Sequence, residues 1–341
     1  MFGDISVVLI LIVVIALAFD FVNGFHDTAN VIATSVSTRA LSPRNAILLA
    51  TVFNFVGALT GTAVAKTIGK GIVPPENLAG AHAGTILIAA LLGAITWNLI
   101  TWYFGIPSSS SHALIGGLTG ASVSALGFSS IEWGGFVKIL IALVTSPIAG
   151  LLFGSLVMLI LFWIFRESDP HQLNKRFLMM QVLTAISMSW AHGSNDAQKS
   201  MGIITLAILV SGGATAAQLG EFAIPTWVIM ACAAAMAGGT MLGGWRIIRT
   251  MGAKIFRLEP INGFAADFTS ASVIFAATSL GLPVSTTHVV ASSIMGVGMA
   301  KRFRGVRWDT ARQIVMAWAI TIPASALVGA VMFQLVHLVM G

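Results

Sequence analysis

Apolar residues along this chain gather into long runs separated by short polar links, and many runs have the about 17–25 residues that a helix needs to cross a hydrocarbon layer. About twelve segments stand out: 5–22, 25–40, 45–65, 83–104, 107–127 and 134–165, then 177–190, 193–211, 221–245, 262–280, 283–300 and 311–340, some short enough to be half-helices. The pattern predicts an all-α, polytopic transmembrane helix bundle. The first run carries Asp4, lacks a basic leader and has no small-residue cleavage site, so it is expected to belong to the membrane domain and not to a signal peptide.

Composition agrees. Hydrophobic residues make up 57% and charged ones only 9%, well below the roughly 25% charged content of soluble domains. The net charge of +6 sits in short loops between apolar runs, and no basic recognition helix or aromatic stacking surface accompanies it. A membrane topology signal, with lipid as the surrounding partner and no nucleic acid, accounts for it. The single cysteine, Cys232, lies in an apolar run and supports neither a disulfide framework nor a cysteine metal site.

The chain is an internal duplication. Gly105-Ile106-Pro107-Ser108-Ser109-Ser110-Ser111-His112 aligns with Gly281-Leu282-Pro283-Val284-Ser285-Thr286-Thr287-His288, and Pro147 and Pro323 follow at the same spacing. A second pair, Gly24 to Asn30 and Gly193 to Lys199, keeps the same order. The expected organisation is a first transmembrane repeat over 1–165, a short cytoplasmic linker over 166–176 and a second repeat over 177–341.

Loop charge orients the halves. Arg246, Arg249, Lys254 and Arg257 against Glu259, and Lys301, Arg302, Arg304, Arg307 and Arg312 against Asp309, mark two cytoplasmic loops in the second half. Their counterparts at 66–82 and 128–138 are close to neutral, whereas Arg39 and Arg44 flank a loop whose counterpart at 211–221 has only Glu221. These assignments agree for inverted repeats with both termini outside, provided that each half contains broken or re-entrant helices. The breaks are expected at Asn23 to Asn30 and at His192 to Lys199. Inverted repeats with discontinuous helices are typical of secondary transporters.

Chemistry concentrates in the duplicated motifs. Proline followed by hydroxyls predicts helix starts, with Pro107 and Pro283 at the first helical positions, whose free amides and hydroxyls (Ser109, Ser110, Ser111; Ser285, Thr286, Thr287) suit a tetrahedral oxyanion. The same hydroxyls could simply cap their helices. Asp27 and Asp196 occupy equivalent places inside apolar sequence, where an ionisable group is costly unless it serves a cavity or partner. They suggest a cation, proton or divalent-metal role, with structural pairing to Lys199 or a helix end as the alternative. His26, Asn30, Asn195, Gln198 and Lys199 complete the two polar regions: Asn30, Gln198 and Lys199 as substrate contacts, His26 and Asn195 on the coupling-ion or proton side. Lys199 could bind the oxyanion or neutralise Asp196. No Walker loop, His-Glu-x-x-His or Gly-x-Ser-x-Gly occurs, which argues against an ATP-driven pump and against an enzyme.

On NGFHDTAN (23–30), HGSNDAQKS (192–200) and the two Pro-hydroxyl-His elements, the chain resembles the inorganic phosphate transporter family, with a form similar to its bacterial low-affinity permease branch. The resemblance spans essentially the whole chain. It implies a phosphate permease of the cell (inner) membrane that imports phosphate by cation-coupled symport without a resident cofactor. A proton is the favoured coupling ion, with phosphate travelling as a complex with Mg²⁺ or another divalent cation. Na⁺ coupling, sulfate as the anion and a passive channel are the alternatives, and a homodimer is also implied. His26 stands where many members have Asn, and the linker is far shorter than in many relatives.

Overall fold

In hydrocarbon every main-chain polar group must be satisfied within its own segment, so apolar runs of this length fold as helices. A computed structural model describes residues 7–78, 82–212 and 221–340, and these residues hold twelve long or short α-helices, joined by turns, and no strand. They are α1 (Val7–Ser37), α2 (Pro43–Ala58), α3 (Ala63–Gly71), α4 (Ala83–Phe104), α5 (Ser110–Leu126) and α6 (Trp133–Ile164). The second series is α7 (Pro170–Ser211), α8 (Thr226–Leu242), α9 (Trp245–Arg249), α10 (Pro260–Ser279), α11 (Thr286–Lys301) and α12 (Trp308–Met340). A short 3₁₀ turn precedes both α6 and α12, and each of those helices carries an internal proline, Pro147 or Pro323. Among the elements named above, the order therefore repeats. The charge-poor loop at 211–221 lies mostly outside the described residues.

Two expectations about the backbone are overturned. The polar stretches at Asn23 to Asn30 and His192 to Lys199 do not break their helices; they lie in the middle of α1 and of the 42-residue α7. Neither stretch contains proline, so no main-chain donor is lost, and the polar side chains leave the helical backbone intact while bonding to neighbours. The bends fall elsewhere, at 70° between α2 and α3 and at 61° between α8 and the α9 segment. Gly243, with φ of 68°, ends α8 in a left-handed conformation that suits glycine.

The prolines are also displaced from their expected positions. Helices α5 and α11 start at Ser110 and Thr286, behind N-caps Ser109 and Ser285, whose hydroxyls accept from the amides of His112 and His288. Pro107 and Pro283 stand two residues before each cap. There they forbid continuation of the preceding helix, which a left-handed glycine, Gly105 or Gly281, has already turned. Likewise α7 begins inside the segment expected to be a linker, at Pro170, because Asp169 caps the amides of His171 and Gln172.

Packing crosses between the two series. α5 lies against α12 and α11 against α6, while α1 lies against α8 and α7 against α2. Small residues allow the closest of these approaches. A Cβ on Gly24 would stand 2.2 Å from the Met236 carbonyl oxygen, and one on Gly193 would stand 2.1 Å from that of Asn54. The outer surface is apolar, as along α6, where Ile141, Val144, Ile148 and Leu152 are all more than half exposed. Among the described residues, four helices, α1, α4, α6 and α12, are long and apolar enough to cross a membrane singly, and the two bent pairs, each taken as one span, bring the number to six.

Two adjacent glycines test this packing. Gly239→Ala places a methyl group 2.0 Å from the Phe21 carbonyl oxygen and forces α8 off α1, whereas at Gly238 the new group meets only the Phe21 ring at 3.6 Å. Size-exclusion profiles in detergent should show loss of the monodisperse species for the first variant alone.

Candidate functional site

A polar cluster lies inside the bundle, between two apolar cores. His26, Asp27, Asn30, Asn195, Asp196, Gln198 and Lys199 are all buried, on α1 and α7. Spacing explains the grouping: Asn23, Asp27 and Asn30 recur at i, i+4 and i+7 on α1, and His192, Asp196 and Lys199 do so on α7, which puts each trio on one helix face.

Each carboxylate meets a helix start. Ser110 donates to Asp27 Oδ2 at 3.2 Å, and its counterpart Thr286 donates to Asp196 Oδ2 at 3.3 Å, so the same contact is made once in each half. Thr287 crosses over to donate to Asp27 Oδ1 at 3.3 Å and accepts from Asn30 Nδ2 at 2.8 Å. His26 Nδ1 lies 2.6 Å from Asp27 Oδ1, while its Nε2 reaches the Thr101 hydroxyl at 3.2 Å. Ser108 donates to that same hydroxyl at 2.8 Å. On the other side, Lys199 Nζ lies 2.7 Å from Asp196 Oδ1 and His192 Nε2 lies 3.6 Å from Asp196 Oδ2.

Other expected site residues point away from this centre. Ser109 and Ser285 are occupied as caps, and Ser111 donates to the Val284 carbonyl at 2.8 Å. Gln198 accepts from the amides of Val64 and Ala65 and so holds the start of α3. Asn195 fastens α7 to the turn between α10 and α11, donating to Thr278 at 2.8 Å and accepting from the Val284 amide at 3.4 Å. His112 and His288 meet each other with ring centroids 4.4 Å apart, and His288 stacks on Trp318.

His192, Thr101 and Asn23 join the site without having been singled out from the sequence. For His192 and Asn23 the signal was present, since each precedes its aspartate by one helical turn; Thr101 becomes relevant only through folding. The side-chain ligand atoms of Asp27, His192 and Asp196 lie within 4.8 Å of one another, a set of two carboxylates and an imidazole that could hold a divalent cation.

A recess of 470 Å³ opens beside the Gly105 turn, lined by Arg246, Arg249 and Lys254 with no carboxylate among its lining residues. Arg246 is fixed there by donation to the Tyr103 carbonyl and by the faces of Trp102 and Tyr103. A second recess of 320 Å³ shares Lys254 and Thr250 with it and continues to Pro107, next to the first hydroxyl motif.

Buried carboxylates facing helix starts inside an apolar bundle, with a basic recess close by, define a multi-pass membrane transporter. Comparison with known proteins gives the family. Residues 23–329 match the model of the phosphate transporter family. A protein of Bacillus subtilis named a probable low-affinity inorganic phosphate transporter is 53% identical over 98% of this chain and 99% of its own length. One of the same name from Rhizobium meliloti is 49% identical over 96% of both. Among solved structures, one titled the sodium-dependent phosphate transporter superposes with a TM-score of 0.86 at 26% identity, covering 98% of this chain and all of that one. The chain belongs to the phosphate transporter family, whose members are permeases and not enzymes.

The ion pair gives a direct test of the geometry. Asp196→Asn leaves the buried Lys199 ammonium without its counter-charge and should destabilise the protein by about 3–5 kcal/mol. Adding Lys199→Met to that variant should recover most of the loss in thermal unfolding in detergent.

Proposed function

We propose that this protein imports inorganic phosphate across the cell (inner) membrane by cation-coupled symport, through alternating access of two inverted repeats, 1–165 and 177–341, joined by residues 166–176, with both termini outside. The proton is the favoured coupling ion, and phosphate travels as a complex with a divalent metal. The working unit is a homodimer.

The observation that carries this reading is the pair of equivalent contacts, Ser110 to Asp27 and Thr286 to Asp196. A serine or threonine hydroxyl has one proton to donate. While that proton is given to a carboxylate, it is withheld from a phosphate oxygen. At Asp27, a proton or metal cation on the carboxylate removes the acceptor and frees the hydroxyl for the anion, so each ligand favours binding of the other, which is linkage in the thermodynamic sense. The first amides of α5 and α11 and the Arg246, Arg249 and Lys254 recess add positive potential along the anion's route.

A second reading, sodium coupling with the same anion, is supported by the similarity to the structure titled the sodium-dependent phosphate transporter. Uptake of labelled phosphate into proteoliposomes under separate pH and Na⁺ gradients, with and without Mg²⁺, decides between them. Accumulation driven by the pH gradient and promoted by Mg²⁺ is the expected result; accumulation driven by Na⁺ alone replaces the coupling ion, and no accumulation under either gradient overturns symport.

In the same assay Asp27→Asn and Asp196→Asn should reduce driven uptake to the level of empty vesicles while the protein still inserts. Combining Ser110→Ala with Thr286→Ala should raise the apparent KM for phosphate about tenfold, equivalent to about 1.4 kcal/mol. Arg249→Ala with Lys254→Ala should raise it more weakly, and added salt should erase the difference, as expected of steering by exposed charge.

A further inference from the structure

Equivalent positions on α1 and α7 carry the same framework filled with different chemistry. The α1 trio is Asn23, Asp27 and Asn30; the α7 trio is His192, Asp196 and Lys199. Both central carboxylates meet a hydroxyl of the following motif in the same way, so the difference lies in the flanking residues.

On α1 those flanking residues leave oxygens free. Asn23 is completely buried, yet neither its carbonyl oxygen nor its amide nitrogen has a protein partner. Asn30 donates to Thr287, and its own Oδ1 is likewise without a partner. Burying an unpaired amide oxygen is costly. Two such oxygens, one helical turn either side of a buried carboxylate, are the donor type that hard cations take.

On α7 the same positions are closed. His192 offers nitrogen in place of an amide oxygen and uses Nδ1 against Asn54 at 3.1 Å. Lys199, fully buried, places its ammonium 2.7 Å from Asp196 Oδ1, beside the carboxylate where a mobile cation would stand. The charge requirement agrees. Of this facing pair of carboxylates, only Asp196 has a permanent positive charge beside it, whereas Asp27 is met by a histidine.

We propose that Asn23, Asp27 and Asn30 form a binding site for one mobile hard cation, and that Lys199 is a tethered cation that permanently occupies the equivalent site at Asp196. The chain then binds one mobile metal cation where a protein with both sites open would bind two. Only the place of that cation in the transport cycle rests on the function proposed above.

Exchange of residues between the trios tests this with the purified full chain. Thermal unfolding in detergent is measured against Na⁺ and, separately, Mg²⁺, with choline chloride matching ionic strength. The wild type should show one saturable cation-dependent rise in Tm, and the effective salt states whether the ion is monovalent or divalent. Asn30→Lys should abolish that rise by closing the α1 site. Lys199→Asn, alone or with His192→Asn to reproduce the α1 trio, should add a second saturable rise, and further addition of Asp196→Asn should remove it. In proteoliposomes, the charge moved per phosphate should increase by one elementary charge in Lys199→Asn for a monovalent ion.

Lys199→Arg should behave as wild type. A Lys199→Asn protein that folds with the wild-type cation response would overturn the tethered-cation role, and so would an Asn30→Lys protein whose response is unchanged. Should Lys199→Asn fail to fold at any salt concentration, Asn30→Lys still decides the α1 site. The Tm measurements need no transport, so absence of phosphate uptake by the wild type would count against the proposed function and leave this inference to be judged by the titrations.

Discussion

The carboxylates of Asp27 and Asp196, held away from water inside the bundle, are the constraint on which the rest of the structure depends. Each costs several kcal/mol in such surroundings unless partners are supplied. The partners come from three directions: hydroxyls at the starts of α5 and α11, His26 at Asp27, and Lys199 at Asp196. Supplying them requires the start of a helix to end at the protein's centre. That is why α4 and α10 stop at left-handed glycines and why a proline and a serine cap follow each of them.

The same need shapes the packing. For the hydroxyls of α11 to reach Asp27 on α1, and for Asn195 on α7 to hold the turn before α11, elements from both halves must meet at close range. Glycine at 24 and 193 brings α1 and α7 almost into backbone contact with α8 and α2. Long apolar side chains at these positions would separate the helices that bring the polar groups together, so the small residues and the charged ones belong to one requirement.

Much of the fold is legible in the sequence. The run at 83–104 coincides with α4, and 134–165 differs from α6 by one residue at each end. Apolar run length is a strong signal because hydrocarbon leaves the backbone little choice. Local polarity misled: a polar stretch inside an apolar helix looks like a break, yet Asn23 to Asn30 and His192 to Lys199 remain helical because their partners lie on other elements and the main chain loses nothing. The duplicated motifs indicated Asp27, Asp196, Ser110, Thr286 and Thr287, which the structure brings together. Hydroxyl type alone could not separate these from Ser109 and Ser285, which serve as caps, or Gln198, which serves α3. Those roles depend on which way a side chain points, and that is decided by tertiary packing.

One further feature concerns mechanics. Thr67 on α3 donates to the Gly281 carbonyl at 2.7 Å, and Thr250, just after α9, donates to the Gly105 carbonyl at 3.0 Å. Each short arm of a bent pair thus grips the hinge that precedes the hydroxyl helix of the opposite half. The two linkages are crossed. The two halves are thus pinned to one another like two levers, each at the other's fulcrum, by the same kind of bond made twice.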